Sequence, residues 1–352
     1  MSTAPERTDA ITLRKLADVV ALVPYLLGFH PQRSLVALTI EDAAVRGTVR
    51  LDLTQDPAEM AERAGHLVDV LSRNRSHRAL LIGYGSGAEV TPMVDAATEA
   101  LRAAGIRISE AIRVDDGRYW SYVCTDGTCC PPEGTPVDLT SSVPAATAVL
   151  AGMCALPDRA ALAATLDPPQ QLDQDRVRDI TRDVCAQAKQ RSKQGVRWFW
   201  DGANRVVAAL ERVQAGEDRD VETAIWIGVH LTAKPVRDMA MTYVPRYGAE
   251  THVRLWTEVT RKVHPTFATA PATLLAFAAM CRGNGALAGI ALERALSISP
   301  HNTLALLLSE GLMAGLHPSH MLACNWSEVA DDLVAQVRLC PSAAWPLLPE
   351  GW

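Results

Sequence analysis

The sequence is poor in aromatic side chains and carries no strong net charge. Phe, Trp and Tyr together make up 5% of its 352 residues, and the formal net charge is −6 at pH 7. This slight acidity excludes the overall basic character that favours binding to nucleic acid or to an anionic membrane. We therefore expect no membrane partner and no nucleic acid, and look for partners in local patterns.

A secretory signal and long apolar runs are also missing. Residues 1–10 are polar and charged, without the apolar centre of a signal peptide. The most apolar segments, 19–27 and 304–316, are interrupted by Pro24 or Glu310 and are too short to cross a bilayer. Eight cysteines in such a chain indicate mostly reduced thiols. We expect a cytoplasmic protein.

Motifs that would name an activity are absent as well. The chain has no GxxxxGK[ST] phosphate loop, its glycines do not follow GxGxxG, and no serine lies in a GxSxG elbow. The length is sufficient for two domains, each with its own core. Function must therefore be inferred from organisation and from side-chain clusters.

The segment from Val23 to Ser34 organises the first half of the chain. A helix with apolar residues at helical spacing leads into it and is predicted to end at Gly28, in the left-handed conformation that glycine adopts most easily. Pro31 prevents the helix from resuming. The apolar run 35–40 is too continuous for a half-exposed strand and predicts a buried strand.

The pattern after this strand is typical of a mixed α/β domain. We predict a hairpin strand, a helix, a strand, a glycine-rich loop, a helix, a strand and an antiparallel strand at 45–53, 57–73, 79–82, 83–87, 89–104, 106–114 and 118–124. A right-handed crossover makes strands 79–82 and 106–114 parallel. The predicted first domain is 1–142, and we expect it to fold alone.

The second half, 143–352, is predicted to be helical. The candidate helices are 143–153, 158–166, 171–194, 198–214, 218–232, 249–263, 271–282, 285–298 and 302–315. Small or apolar residues preceding Pro300 fit one tetratricopeptide-like hairpin, namely Ala276, Ala279, Gly283, Ala288, Leu292 and Ala295. No second copy follows the same spacing. The half is therefore interpreted as repeat-like, without a complete array.

Three stretches carry a resemblance to a known family. They are Pro24-Tyr25-Leu26-Leu27-Gly28-Phe29-His30-Pro31 with the following Ser-Leu-Val, the segment Gly117–Cys124 with Cys129-Cys130-Pro131 and Gly134, and the helical part from Leu274 to Pro318. Together they resemble an uncharacterised actinobacterial family, domain of unknown function number 4192. The resemblance implies a family label and no mechanism.

Cys124, Cys129 and Cys130 form the densest cluster of reactive residues. Three thiols within seven residues are candidate zinc ligands, with His30 as a fourth. The spacing departs from paired zinc knuckles, and adjacent cysteines are expected to point in different directions. A disulfide and a structural turn with free thiols stay open, and we favour the structural turn because alternation would place Cys124 on one face with Trp120.

A second candidate site lies at the predicted strand ends. Its residues are His30, Arg33, Asp52, Gly83, Gly85, Ser86 and Gly87. Glycines before a helix N-terminus allow backbone N–H groups to approach a phosphate, and ligands of open α/β sheets bind at strand ends. The alternative is a flexible turn between strand and helix, with His30 bonded to a backbone carbonyl.

A basic run, Lys189, Arg191, Lys193 and Arg197, leads into Trp198-Phe199-Trp200. Cations beside aromatic rings are a pattern of phosphate and base contacts. We interpret the run instead as the end of a helix capped at Gly195, since cations favour helix C-termini and aromatic residues after a cap pack the next helix.

These patterns leave three functional hypotheses. The first is a cytoplasmic binding or scaffold protein that uses its helical half for protein interaction, with a homo-oligomer left open. The second is an enzyme or a small-molecule or nucleotide-binding protein with its site at the strand ends. The third is a zinc-binding or redox-sensing protein that uses the cysteine hairpin, and zinc is the cofactor that the sequence suggests.

Overall fold

The computed structural model describes residues 15–41, 44–138 and 142–352. The chain divides into two compact units, Met1–Leu162 and Ala163–Trp352. Within the described residues, every helix is too short or too polar to span a membrane. The predicted class is confirmed, since a mixed sheet in the first half is followed by a largely helical second half.

The first unit contains, in chain order, α1 (Leu16–Leu27), β1 (Ser34–Glu41), β2 (Ala44–Asp52), α2 (Pro57–Arg73), β3 (Arg78–Tyr84), α3 (Gly87–Ala103), β4 (Arg107–Asp115), β5 (Arg118–Ser121), β6 (Thr135–Pro136) and α4 (Val143–Leu150). Helix α5 (Arg159–Ala164) runs across the division between the units. The strands form one sheet in the order β2-β1-β3-β4-β5-β6, in which β3 and β4 are parallel, as predicted, and the other neighbours are antiparallel.

The core of this unit lies between the sheet and helices α2 and α3. Leu35 of β1 and Leu81 of β3 pack with Leu67 of α2 and with Val90 and Leu101 of α3, all of them fully buried. Both faces of the central strands are closed to solvent, because six consecutive residues of β1 are buried. The interpretation of the run 35–40 as a buried strand is confirmed.

The turn after α1 follows the sequence prediction. Gly28 caps the helix with a φ of 81°, which confirms the predicted left-handed conformation. The chain then pairs with a later segment, since the N–H of Leu156 donates to Gly28 O and that of His30 donates to Leu156 O, both at 2.9 Å. Helix α4 also packs on α1 within this unit. The first unit therefore extends beyond the predicted boundary at 142 and includes α4 and Leu156.

The second unit contains α6 (Gln174–Arg191), α7 (Val196–Gln214), α8 (Val221–His230), α9 (Lys234–Thr242), α10 (Val244–Tyr247), α11 (Ala249–Lys262), α12 (Thr269–Cys281), α13 (Gly285–Ile298), α14 (Thr303–Met313), α15 (Pro318–Leu322) and α16 (Trp326–Leu339). Helices α12 and α13 pack against each other and bury Ala276, Ala279, Ala288 and Ala295, the small residues of the predicted hairpin. The comparison with a tetratricopeptide unit stays a prediction.

Several elements differ from the sequence prediction. Helices α9, α10, α15 and α16 and strand β6 were not predicted, and β5 ends at Ser121 rather than at Cys124. Pro235 and Pro245, interpreted as marks of element ends, lie in the first turns of α9 and α10. Proline suits that position because the first N–H groups of a helix have no partner within the helix. A proline after a helix thus also predicts the start of the next.

Candidate functional site

The strand-end candidates are only partly brought together, and the residue that joins them was not predicted. Glu89, in the first turn of α3, accepts a hydrogen bond from the Ser86 hydroxyl at 2.8 Å through Oε2. Its Oε1 lies 3.1 Å from an Nη atom of Arg33. The bond from the Ser86 hydroxyl is the main cause that holds the pKa of Glu89 below its usual value. Glu89 thus joins Arg33, through an ion pair, and Ser86, through a hydrogen bond, in one cluster.

This cluster already holds an anion at the start of α3. The N–H of Ser86 donates to Glu89 Oε2, and the two side chains form a capping box. A carboxylate at a helix N-terminus is stabilised by the same N–H groups and dipole that would bind a phosphate. The N–H of Gly85 is used as well, since it donates to Val114 O at 3.0 Å. The protein's own carboxylate therefore occupies the position that the nucleotide hypothesis assigned to a ligand.

The glycines of this loop have packing reasons. A Cβ at Gly83 would lie 2.1 Å from Cγ1 of Val90, so only glycine allows α3 to approach β3 so closely. Gly85 has a φ of 139°, which side chains rarely adopt. Gly87 lies beside the Arg113 guanidinium, 3.7 Å from the position of its missing Cβ. These contacts support the turn interpretation of the loop.

His30 and Asp52 have other partners. The N–H of His30 pairs with Leu156 O, and the Asp52 carboxylate binds Arg50 at 2.6 Å. Within the described residues, no hydrogen bond or ion pair links either side chain to Ser86 or Glu89. Hydrogen bonds and ion pairs thus join the seven candidates only in part within the described residues, although Asp52 and Tyr84 both lie opposite Ser34 at one edge of the sheet.

The thiols of Cys124, Cys129 and Cys130 do converge. Their sulfur atoms all lie within 4.8 Å of one another, which corrects the expectation that the two adjacent cysteines point apart. His30 is not part of this cluster within the described residues. The hydrogen bond with Cys124 is the main cause that raises the pKa of Cys130 to about 12. The three thiols are thus close enough to act on one another or on one ion.

The chain turns before it reaches these thiols. Because β5 ends at Ser121, the alternation of faces does not extend to Cys124, and that premise of the structural interpretation was wrong. The Ser121 hydroxyl instead donates to Glu110 at 2.8 Å and accepts the N–H groups of Val123 and Cys124 at 3.0 and 2.8 Å. Cys124 is thereby directed into the loop.

A cleft in the helical unit was missed by the sequence analysis. It consists of two adjoining cavities between α6, α7 and α8 that share Arg191. The larger, of about 520 Å³, is lined by Arg191, Gln194, Arg197, Trp198, Trp200, Asp201 and Asn204. The smaller, of about 380 Å³, is lined by Gln187, Arg191, Arg205, Asp220, Glu222, Thr223 and Trp226. Arg191 and Arg197 of the basic run therefore line the same cavity as Trp198 and Trp200.

Asp201, the acidic residue that lines the larger cavity, is paired with other residues of the protein. Asp201 Oδ2 lies 3.3 Å from Arg205 Nε and 3.2 Å from Nε2 of the fully buried His230, the latter without the alignment of a full hydrogen bond. These partners, His230 foremost, lower the pKa of Asp201 to about 2. Burial lowers the pKa of His230 and keeps its imidazole neutral. The His230 ring stacks on Trp198 at 3.8 Å between centroids.

The cationic residues of the same cavity lack such partners. Within the described residues, neither Arg191 nor Arg197 forms an ion pair, and both are exposed. Trp200 remains 38% exposed beside them. The indole N–H of Trp198 is buried and has no hydrogen-bond acceptor in this part of the structure. The interpretation of the basic run as a helix end capped at Gly195 is confirmed, since α6 ends at Arg191 and Gly195 has a φ of 51°. It missed that Arg191 and Arg197 also line a cavity.

The comparisons with known proteins supply a family and no relative of established function. The model of a family described as a domain of unknown function, DUF4192, matches residues 17–319. Searches of the curated proteins and of the solved structures found no match. Because the family model covers most of the chain, this protein belongs to that family.

Proposed function

From this family membership and the cleft, we propose that the protein is a binding protein whose helical unit holds a small anionic ligand with a planar ring. The observation that carries the proposal is the larger cavity, where Trp200 offers an exposed ring and Arg191 and Arg197 have no acidic partner among the residues that the structure describes. Guanidinium groups bind phosphate and carboxylate oxygens through paired N–H donors, and an indole face stacks on planar rings.

The charges of the two cavities favour the larger one as the site. In the larger cavity, Asp201 is the acidic lining residue, and its charge is balanced by Arg205. In the smaller, Arg191 and Arg205 face Asp220 and Glu222, so that cations and anions are equal in number. An anion is therefore attracted to the part of the cleft beside Arg197.

The size and the remaining polar groups of the larger cavity fit such a ligand. A volume of about 520 Å³ lies within the range of small-molecule sites. Gln194 and Asn204 add amide donors and acceptors at its rim. The indole N–H of Trp198, a residue of the same lining, is buried and lacks a hydrogen-bond acceptor among the described residues. A mononucleotide combines the required charge, ring and size.

This proposal keeps the helical half of the first hypothesis as the binding element, but replaces its protein partner with the small-molecule ligand that the second hypothesis assigned to the strand ends. It moves the binding element from a repeat surface to the cleft between α6, α7 and α8. The competing site at the strand ends is weakened by Glu89, whose carboxylate pairs with Arg33 and caps α3. A cytoplasmic location and a protein partner remain compatible with a small-ligand cleft.

The test is a binding titration of the full chain with adenosine monophosphate, adenosine triphosphate and inorganic phosphate, followed by calorimetry and tryptophan fluorescence. We expect the nucleotides to bind more tightly than phosphate. The exchanges Arg191→Ala and Arg197→Ala should each weaken binding by about tenfold or more, because a charged hydrogen bond contributes roughly 1.5–3 kcal/mol.

Lys193→Ala is the matched control, since it removes a cation from the same segment outside the residues that line the cavities. Trp200→Ala should reduce the preference for nucleotides over phosphate. Equal binding by wild type and the two arginine variants, or no binding of any probe at millimolar concentration, would contradict the proposal.

A further inference from the structure

The loop between β5 and β6 holds three thiols in an arrangement that suits one soft metal ion. The sulfurs of Cys124, Cys129 and Cys130 lie within 4.8 Å of one another. Three sulfurs at zinc–sulfur distances of about 2.3 Å in a tetrahedral site are about 3.8 Å apart. A contraction of at most about one ångström would therefore bring the cluster to metal-binding dimensions.

The backbone, rather than a bond between thiols, sets this arrangement. Asp126 O accepts the N–H groups of Cys129 and Cys130 at 3.1 and 2.8 Å, and its carboxylate accepts the N–H of Thr128 at 2.9 Å. These bonds coil the chain so that adjacent cysteines face the same space. On the other side of the loop, the Ser121 hydroxyl accepts the N–H of Cys124 and so orients that residue. None of the three sulfurs forms a disulfide.

The ends of the loop are attached to the edge of the sheet. The Trp120 indole N–H donates to Pro132 O at 2.9 Å, and Arg118 donates to Gly134 O at 2.9 Å. Gly134 lies against the Trp120 ring so closely that a Cβ there would be 2.5 Å from it. The Arg113 guanidinium covers the same ring at 3.7 Å. Because the loop is ordered before any ion binds, little entropy is lost on binding.

The donor set determines the class of metal and leaves one position open. Thiolates favour zinc and other soft ions over magnesium and calcium, which prefer oxygen. Within the described residues, no histidine or carboxylate joins the three sulfurs, so His30 is not the fourth ligand. Three protein ligands with an open fourth position are typical of zinc sites that bind water or a substrate, whereas structural sites are closed by four.

We propose that Cys124, Cys129 and Cys130 bind one zinc ion whose fourth position is open to solvent or to an added ligand. The exposure of Cys129 gives that position access to solvent. A purely structural role for the thiols explains this exposure less well, because cysteines that serve packing are usually buried. The site belongs to the first unit and is independent of the arginine cleft in the second.

The first test is zinc analysis of the full chain, purified without added metal or chelator. We expect about one zinc per chain, as for one site formed by three thiolates. Zinc should be lost in Cys124→Ser and in Cys130→Ser. It should be retained in Cys154→Ser, the matched control with an exposed cysteine in the same unit but outside the cluster, and in His30→Ala.

The second test examines the open position. After zinc is exchanged for cobalt(II), thiolate charge-transfer absorption should appear, and added imidazole should shift the cobalt d–d bands. Bands unchanged by imidazole would overturn the open position. A denatured, unreduced sample in which two of the cluster cysteines fail to react with a thiol reagent would show a disulfide and overturn the metal site.

Protein folding must be separated from metal binding. If a serine variant melts at a much lower temperature, the wild type is treated with a chelator and titrated with zinc, and stoichiometric uptake supports the site. A folded wild-type chain that holds no zinc and takes up none in this titration would overturn the proposal. Neither result depends on ligand binding by the helical unit.

Discussion

The start of α3 and the cleft beside α7 both combine cations with helix ends, but they differ in what neutralises the cation. Arg33 faces Glu89, whose carboxylate also caps the helix, so that charge and N–H groups are satisfied within the protein. Arg191 and Arg197 face open space, while the nearby Asp201 is paired with Arg205. A glycine-rich loop is therefore poor evidence of an anion site when an acidic residue follows in the first turn.

The loop before α3 serves packing, whereas the cleft beside α7 is the proposed binding region. Gly83 is needed because α3 approaches β3 closely, so this loop contributes to the core of its unit. In the cleft, polar atoms such as the Trp198 indole N–H lack partners although they are buried. Unsatisfied buried groups are rare in folded proteins and usually have an explanation, such as a ligand or water. Among the described residues, Ser34 Oγ, Arg50 Nε and the Tyr84 hydroxyl near the strand ends are also buried without partners. What distinguishes the cleft is therefore Arg191 and Arg197, which line it without an ion pair among those residues.

The largest expected effect concerns the independence of the first unit. A fragment of residues 1–162 should fold alone, whereas 1–142 should lose cooperative unfolding, because it lacks α4, which packs on α1, and Leu156, which pairs with the segment around Phe29. Circular dichroism and amide chemical-shift dispersion distinguish the two. This revises the expectation that 1–142 is sufficient, and equal melting temperatures of both fragments would restore that expectation.

The second effect is a loss of stability of the helical unit in acid. His252 is buried, and burial lowers its pKa from 6.5 to about 4. Because the unfolded state binds the proton first, the stabilisation is fully present above about pH 6.5 and is lost as the pH falls towards 4. The loss approaches about 3 kcal/mol, from 1.36 kcal/mol for each unit of pKa.

Urea unfolding at pH 7.5 and pH 4.5 measures this loss. His252→Gln should show a smaller difference between the two pH values than wild type, because it removes the group that takes up the proton. His320→Gln, at an exposed position, should behave as wild type. Identical pH dependence in His252→Gln and wild type would assign the acid sensitivity to other groups.

The third effect tests whether the glycine loop is built for packing. Gly83→Ala should destabilise the first unit by roughly 1–3 kcal/mol, because the new Cβ would overlap Val90. Gly65→Ala, in α2, meets no atom within 4 Å and should raise stability by up to about 1 kcal/mol, since alanine is the better helix former. Thermal melts that rank the two variants in the opposite order would contradict the close approach of α3 to β3.

The smallest effect tests the built-in anion. Glu89→Gln should lower the melting temperature slightly, because the capping box is weakened and Arg33 loses its partner. Glu99→Gln, an exposed residue of the same helix with the same change of charge, is the control and should leave the melt unchanged. If the two variants melted alike, Glu89 would be a surface charge and the contrast with Arg191 would lose its basis.

Much of the first unit was predictable because its signals are local. Gly28 takes the left-handed conformation, β1 is buried, and α2 begins at Pro57 after the Asp56 cap. The cap at Gly28 and the start of α2 depend on neighbouring residues alone, and the unbroken apolar run of β1 is visible in the sequence. The parallel pairing of β3 and β4 followed from the handedness of the crossover between them. Residue type and order were sufficient for these elements.

Other elements depended on partners that are distant in the chain. Strand β6 has only two residues and exists through its pairing with β5, and α9 begins at a proline that by itself also suits a helix end. Short segments carry too little periodic pattern to identify them. Their structure is decided when the rest of the fold brings a partner.

For the candidate sites, the sequence by itself determined which chemical groups are present, and the tertiary structure decided which of them meet. The three thiols and the basic run were visible from the order of residues, but the direction of Cys129 and Cys130 depends on the coil at Asp126. Of the two cavities, the smaller needs α8, whereas the residues that line the larger all lie within 191–204. The partners of the strand-end candidates were decided in the same way, since Asp52 pairs with Arg50 and Glu89 joins Arg33 to Ser86. The physical reason is that residue spacing constrains the chain over a few residues, whereas charge pairing and burial depend on contacts between distant segments.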